Sequence, residues 1–78
     1  MINVYKELKE FDNEYLKQRD IIMTLRFVGT APAILLYDTD RNARLIYVDE
    51  LMETNEKCLQ DTLYIAMLDI EKVRKEAQ

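Results

Sequence analysis

Carboxylates are the residues best placed to do chemistry in this chain. Asp38, Asp40 and Asn42 form a D-x-D-x-N run, and Asp49, Glu50, Glu53 and Glu56 crowd a second short stretch. Oxygen ligands at alternate positions can converge on a hard cation from one turn. A tight group of acids can instead meet a basic surface on another protein. The rest of the inventory is thin. The chain has no histidine, which removes the commonest general base, and its one cysteine, Cys58, therefore has no histidine partner for nucleophilic work. Cys58 falls on an apolar stripe and reads as a small hydrophobe. One glycine excludes glycine-rich phosphate loops, and the Cys and His count excludes a zinc set. No single pair of carboxylates stands out for acid–base work. Neither catalysis nor a cofactor is expected.

Across twelve residues the run resembles the calcium loop of EF-hands. Asp38, Asp40 and Asn42 match its first, third and fifth positions, Leu45 its eighth and Asp49 its twelfth. The resemblance implies a calcium-binding loop. Ala43, however, stands where the loop needs glycine for its sharp turn, and Asp49 replaces the longer bidentate Glu. The residues before it read as strand, not helix. Asp and Asn are also ordinary turn formers, and a turn is the reading adopted here, with no metal assigned.

Bulk properties narrow the class further. A length of 78 residues gives a single domain over 1–78 with a thin core, for which support from a partner or a second copy is expected. With 49% apolar residues the composition is that of a folded chain. Fifteen acids against eleven bases give a net charge of −4, which disfavours direct nucleic-acid binding and anionic membranes alike. Lys6, Lys9, Lys17, Arg19 and Arg26, with Arg41 and Arg44 near a turn, are interleaved with acids and form no basic block. No apolar run approaches the ~20 residues that span a bilayer. With no secretion signal and one cysteine, a cytoplasmic location is expected.

The elements that must position these residues are read from periodicity. Asn3 suits an N-cap. Val4, Leu8, Phe11, Tyr15, Ile22 and Leu25 then recur at helical gaps, with Gln18 interrupting the seam. Over residues 21–28 helical and alternating patterns compete. The continuous helix is preferred, about 25 residues from Val4 and stopped by Gly29 as a left-handed C-terminal residue. The alternative ends the helix near Asp20 and starts a strand. Pro32 breaks the helix for good. Residues 33–37 and 45–48 read as two strands joined by a polar turn. Asp49 caps a second helix, with Met52, Leu59, Leu63, Ala66, Ile70, Val73 and Ala77 on one stripe, and Leu51, Cys58 and Ile65 beside it. From Leu63 to Leu68 the helix is apolar all round. Glu53–Lys57 and Glu71–Lys75 have the spacing of favourable helical ion pairs. The expected fold is α+β, in the order helix, two-stranded hairpin, helix.

That hairpin has two oily faces. Side chains alternate across a strand. A turn with an even number of loop residues groups Leu35, Tyr37, Ile46 and Val48. An odd one groups Leu35, Tyr37, Leu45 and Tyr47 against Ile34, Leu36, Ile46 and Val48. Either way one copy's helices are hard pressed to cover both sides, and an isolated hairpin is marginal. Dimerisation is therefore expected, with Leu35, Tyr37, Ile46, Val48 and Tyr47 as interface candidates. Asp49, Glu50, Glu53 and Glu56 are candidates for an acidic patch that binds a partner, against the alternative that they complement a helix dipole. The expected role is a small non-catalytic regulator, inhibitor or assembly factor acting as a homodimer on another protein. The alternatives are a structural oligomer and an acidic protein that occludes a partner's nucleic-acid-binding surface.

Overall fold

The computed structural model describes residues 3–76; Ala77, the last residue of the expected stripe, lies outside them. Helix α1 spans Val4–Phe11 and is capped as expected, with Asn3 Oδ1 accepting from the Lys6 N–H at 3.1 Å. It continues through a widened π turn, Asp12–Leu16, and a tight 3₁₀ turn, Lys17–Arg19. Strands β1 (Ile22–Val28), β2 (Ala31–Tyr37) and β3 (Ala43–Tyr47) follow, then α2 (Glu50–Thr54) and α3 (Glu56–Glu76). The strands form one antiparallel sheet in the order β1-β2-β3. The α+β class holds, but the sheet has three strands rather than two and the C-terminal helix is divided.

The largest departure from expectation is the end of the first helix. Asp20 adopts the left-handed conformation (φ 54°), its N–H reaches Lys17 O at 3.5 Å, and the Ile21 N–H reaches Leu16 O at 3.2 Å. These are the two bonds of a Schellman cap, with the accompanying apolar contact supplied by buried Ile21 and Leu16. The stop is made by Asp, one of the few residues that tolerate this conformation, instead of the glycine usually sought there. Residues 22–28 are thus strand, and the alternation of Met23, Leu25 and Phe27 with Thr24 and Arg26 wins. The interruption at Gln18 has the same origin. Across the π turn the buried positions step five residues, from Phe11 to Leu16, so the apolar seam leaves the 3.6-residue period.

Gly29 is left-handed (φ 66°), but in a hairpin turn rather than at a helix end. With Val28 paired to Ala31, Gly29 and Thr30 form a two-residue loop with glycine first, the preference of II′ turns. Pro32 sits in β2, opposite Phe27. Downstream, Asp49 caps α2 as expected, accepting from Met52 N–H at 2.8 Å. The expected single helix breaks at Asn55, whose extended backbone and side-chain oxygen, 3.1 Å from the Cys58 N–H, start α3 afresh.

The β2–β3 loop holds residues 38–42, an odd number, and the register pairs Leu35 with Leu45 and Ile34 with Ile46. The helices cover the face that carries Met23, Ile34, Leu36 and Ile46. There Leu8, Phe11 and Leu16 meet Leu59, Leu63, Met67 and Ile70 around Ile34 and Leu36, which are fully buried. The result is a two-layer slab with Cα extents of 41 × 28 × 16 Å.

One polar cluster ties the layers together. Asp38 is buried at the start of the β2–β3 turn. Its Oδ1 accepts from the backbone N–H groups of Asp40 (3.0 Å) and Asn42 (2.9 Å), and its Oδ2 from Asn42 Nδ2 (3.0 Å) and Arg74 Nε (2.8 Å). The same guanidinium donates to the carbonyls of Arg19 (2.6 Å) and Asp20 (3.2 Å). Arg74 therefore joins α3, the left-handed helix end and the strand turn. Arg19 adds an ion pair with Glu71 and donates to Tyr15 O at 2.8 Å. Glu71 thus faces Arg19, where the spacing suggested Lys75. Burial raises the Asp38 pKa, but the side-chain bonds from Asn42 and Arg74 and the two backbone N–H groups outweigh it, holding the carboxyl at about 2.

Three outcomes follow. A free Asp titrates at 3.8 and the folded one at about 2, so Asp38 adds stability that is complete above about pH 5 and fades as pH falls toward 2. Urea unfolding between pH 5 and pH 2.5 should show that loss, and Arg74→Met should lower stability by about 3 kcal/mol at neutral pH by leaving Asp38 buried without its cation. Asp20→Gly should raise stability by about 1 kcal/mol in the same assay, because it relieves the left-handed strain and leaves the Asp20 carbonyl in place.

Candidate interaction surface

Alternation along three registered strands lays out the uncovered face as a grid. Its rows read Ile22–Tyr37–Ala43, Thr24–Leu35–Leu45 and Arg26–Ala33–Tyr47, with Val28 and Ala31 beyond. Arg26 is the one charged residue among them. Ile22 is 46% exposed, Leu45 45%, Tyr47 54% and Val28 46%, so the apolar side chains of this face meet solvent. Leu35 and Tyr37 in the middle strand are half-buried by their neighbours. Ala33 is fully buried, too short to emerge between its cross-strand partners Arg26 and Tyr47. Thr24 Oγ1 is buried without a hydrogen-bond partner. No described helix lies over this side, and its exposed apolar side chains make it the candidate interaction surface.

The five interface candidates divide between the two faces. Leu35, Tyr37 and Tyr47 lie on the open face; Ile46 and Val48 lie on the other, packed against the core. The register decides this, because an odd loop pairs the strands so that Leu45, not Ile46, stands opposite Leu35. Ile22 and Leu45 complete the open face. Both carry the alternation of a strand, and Ile22 was hidden by the helical reading of its segment.

The acidic candidates are also divided. Asp49 is occupied as the α2 cap. Glu50 and Glu53 lie on α2, while Glu56 opens α3 and accepts from Gln60 Nε2 at 3.3 Å. A second acidic set, not singled out from the sequence, lines a groove of about 210 Å³ between α1 and α3. Glu7, Glu10, Glu14 and Asp61 surround Phe11, Tyr15 and Tyr64. Tyr15 meets Tyr64 edge-on at 5.9 Å, and Gln60 Nε2 also reaches Glu7 at 3.2 Å. Among the described residues no Lys or Arg lies within ion-pairing distance of these four acids. The i, i+3, i+7 spacing of Glu7, Glu10 and Glu14 was the available signal.

The D-x-D-x-N run acts as a turn. Both oxygens of Asp38 are engaged by protein donors, and the Asn42 amide donates to it. Among the described residues no cluster of three or more His, Cys, Asp or Glu is arranged to hold a metal ion. Cys58 is half-buried and packs against the core. The all-round apolar stretch of α3 splits, with Leu63, Ala66 and Met67 inside and Tyr64, Ile65 and Leu68 exposed. No described helix is long and apolar enough to cross a membrane.

Comparison with family models, with curated proteins and with solved structures finds no match.

The two faces should respond differently to truncation. Ile34→Ala or Leu36→Ala should cost about 2–5 kcal/mol of unfolding free energy. Leu45→Ser and Tyr47→Ser, measured in dilute solution, should each stay within about 0.5 kcal/mol of the parent.

Proposed function

We propose that this chain is a small non-catalytic interaction protein, a regulator, inhibitor or assembly factor, that works as a homodimer and presents its uncovered sheet face to another protein. The observation that carries this reading is the open face itself, where Ile22, Leu45 and Tyr47 are each about half exposed in a chain whose helices all lie on the other side. Burying apolar surface contributes about 25 cal/mol per Å², so leaving such a face wet forgoes stabilisation that a partner restores. Tyrosine suits the task, having an apolar body and a polar tip. A non-catalytic role accords with the absence of histidine and with a lone cysteine set against the core. A cytoplasmic location belongs to the same reading.

Sedimentation velocity over a dilution series tests it. The expected mass is twice that of the 9.3 kDa chain at micromolar concentration. A folded monomer throughout that range would defeat the homodimer, and a mass beyond a dimer would favour a structural oligomer.

A further inference from the structure

Of the two edge strands, β1 and β3, β1 is the longer, with seven residues against five. β2 pairs with one side of β1, and among the described residues nothing pairs with the other. Sheet edges are ordinarily blunted by Lys, Pro, a bulge or a short length. β1 has seven residues, runs in unbroken register with β2, contains neither Lys nor Pro, and carries Arg26 as its one charge. Its end overhangs the helices. Leu25 and Phe27 lie on the helix-bearing side of the sheet, yet they are 52% and 73% exposed because the layer stops short of them. Alongside, between α1 and β1, runs an open groove of about 200 Å³ lined in part by Tyr5, Leu8, Met23 and Leu25.

We propose that this edge binds the β1 edge of a second copy, antiparallel about a two-fold axis at Leu25, forming a continuous six-stranded sheet. This rests on the homodimer reading and specifies its geometry. Leu25 is the midpoint of Ile22–Val28, so this register alone pairs the whole strand with itself. It sets Leu25 against its own copy, Phe27 against Met23, Arg26 against Thr24 and Val28 against Ile22. Directly opposed residues share a face, so each chemical need finds its complement. The overhanging Phe27 reaches the partner's groove at Met23, and Arg26 comes beside the Thr24 hydroxyl that lacks a partner. A strand from an unrelated protein could hydrogen-bond to the edge but would match these side chains only by coincidence. Leu25 and Phe27 from two copies contribute on the order of 500 Å² of apolar surface. The strand edges and groove walls bring the junction toward the ~1,200 Å² at which specific interfaces begin. Because the axis is perpendicular to the sheet, both sets of helices lie on one side. The other side becomes a doubled apolar face for the recognition role.

Cross-linking in a Cys58→Ser background tests the register. Opposed residues in antiparallel strands lie ~4.5–5.5 Å apart at Cα, within disulfide range. Leu25→Cys should therefore oxidise to a covalent dimer at micromolar concentration. Phe27→Cys should not, since its two copies would lie about 13 Å apart along the strands. Phe27→Asp, exposed in the single chain and so harmless to its circular dichroism, should weaken dimerisation roughly 30-fold or more. A dimeric mass with no Leu25→Cys cross-link, or with equal cross-linking at both positions, would overturn the edge pairing and leave the homodimer standing. A monomeric mass for the unmodified chain would remove both.

Discussion

The governing constraint is that the sheet is apolar on both faces and the helices shield only one. Ile34 and Leu36 are fully buried beneath α1 and α3, while Leu35 and Tyr37, adjacent to them in the chain, point the other way. Strand geometry imposes this: successive side chains must diverge, so a run such as Ile34-Leu35-Leu36-Tyr37 cannot be satisfied by a single layer. The added strand β1 deepens the conflict, since Ile22 and Val28 join the open face and Leu25 and Phe27 overhang on the covered one. The proposed pairing of chains buries the overhang of Leu25 and Phe27 and leaves the open face for a partner.

The two ends of β2 are held very differently. At its C-terminal end, Asp38 and Arg74 knit the turn to α3 and to the end of the first helix, and a buried carboxylate receives four hydrogen bonds. That arrangement fixes where the sheet meets the helices. At the other end the Gly29–Thr30 turn projects without helical support, and the side chains beside it are among the most exposed apolar groups described. The ordered end supplies rigidity and the projecting end supplies surface. Such a division accords with the recognition role proposed above, because a contact surface can then be large without disturbing the core.

Polar side chains follow the same division of labour. Asp49 and Asn55 are spent on starting helices, Arg19 and Arg74 on closing one. The D-x-D-x-N run, which resembled a cation loop, is a turn whose first carboxylate is neutralised from within by Arg74. Four further acids, Glu7, Glu10, Glu14 and Asp61, line the α1–α3 groove over an aromatic floor, on the helical layer and away from the open sheet face.

Local signals determined much of this protein from the sequence alone. The α+β class, the caps at Asn3 and Asp49, the strands around 33–37 and 45–47, the polar turn at 38–42 and the stripe through Leu59, Leu63, Ala66 and Ile70 each follow from a residue's own hydrogen-bonding or from a short period in hydrophobicity. Both faces of the ribbon were legibly apolar for the same reason. Tertiary structure decided the rest. Whether residues 22–28 were helix or strand turned on Asp20 taking a left-handed cap with Ile21 buried, and on a third strand having β2 to pair with; neither is written in a local pattern that fits both forms. The grouping of Leu35 with Leu45 rather than Ile46 turned on loop parity. The role of Arg74 turned on contacts from 36 to 55 residues away in the chain. Short-range periodicity can say that a side chain wants burial, but only the assembled layers say which side chains obtain it.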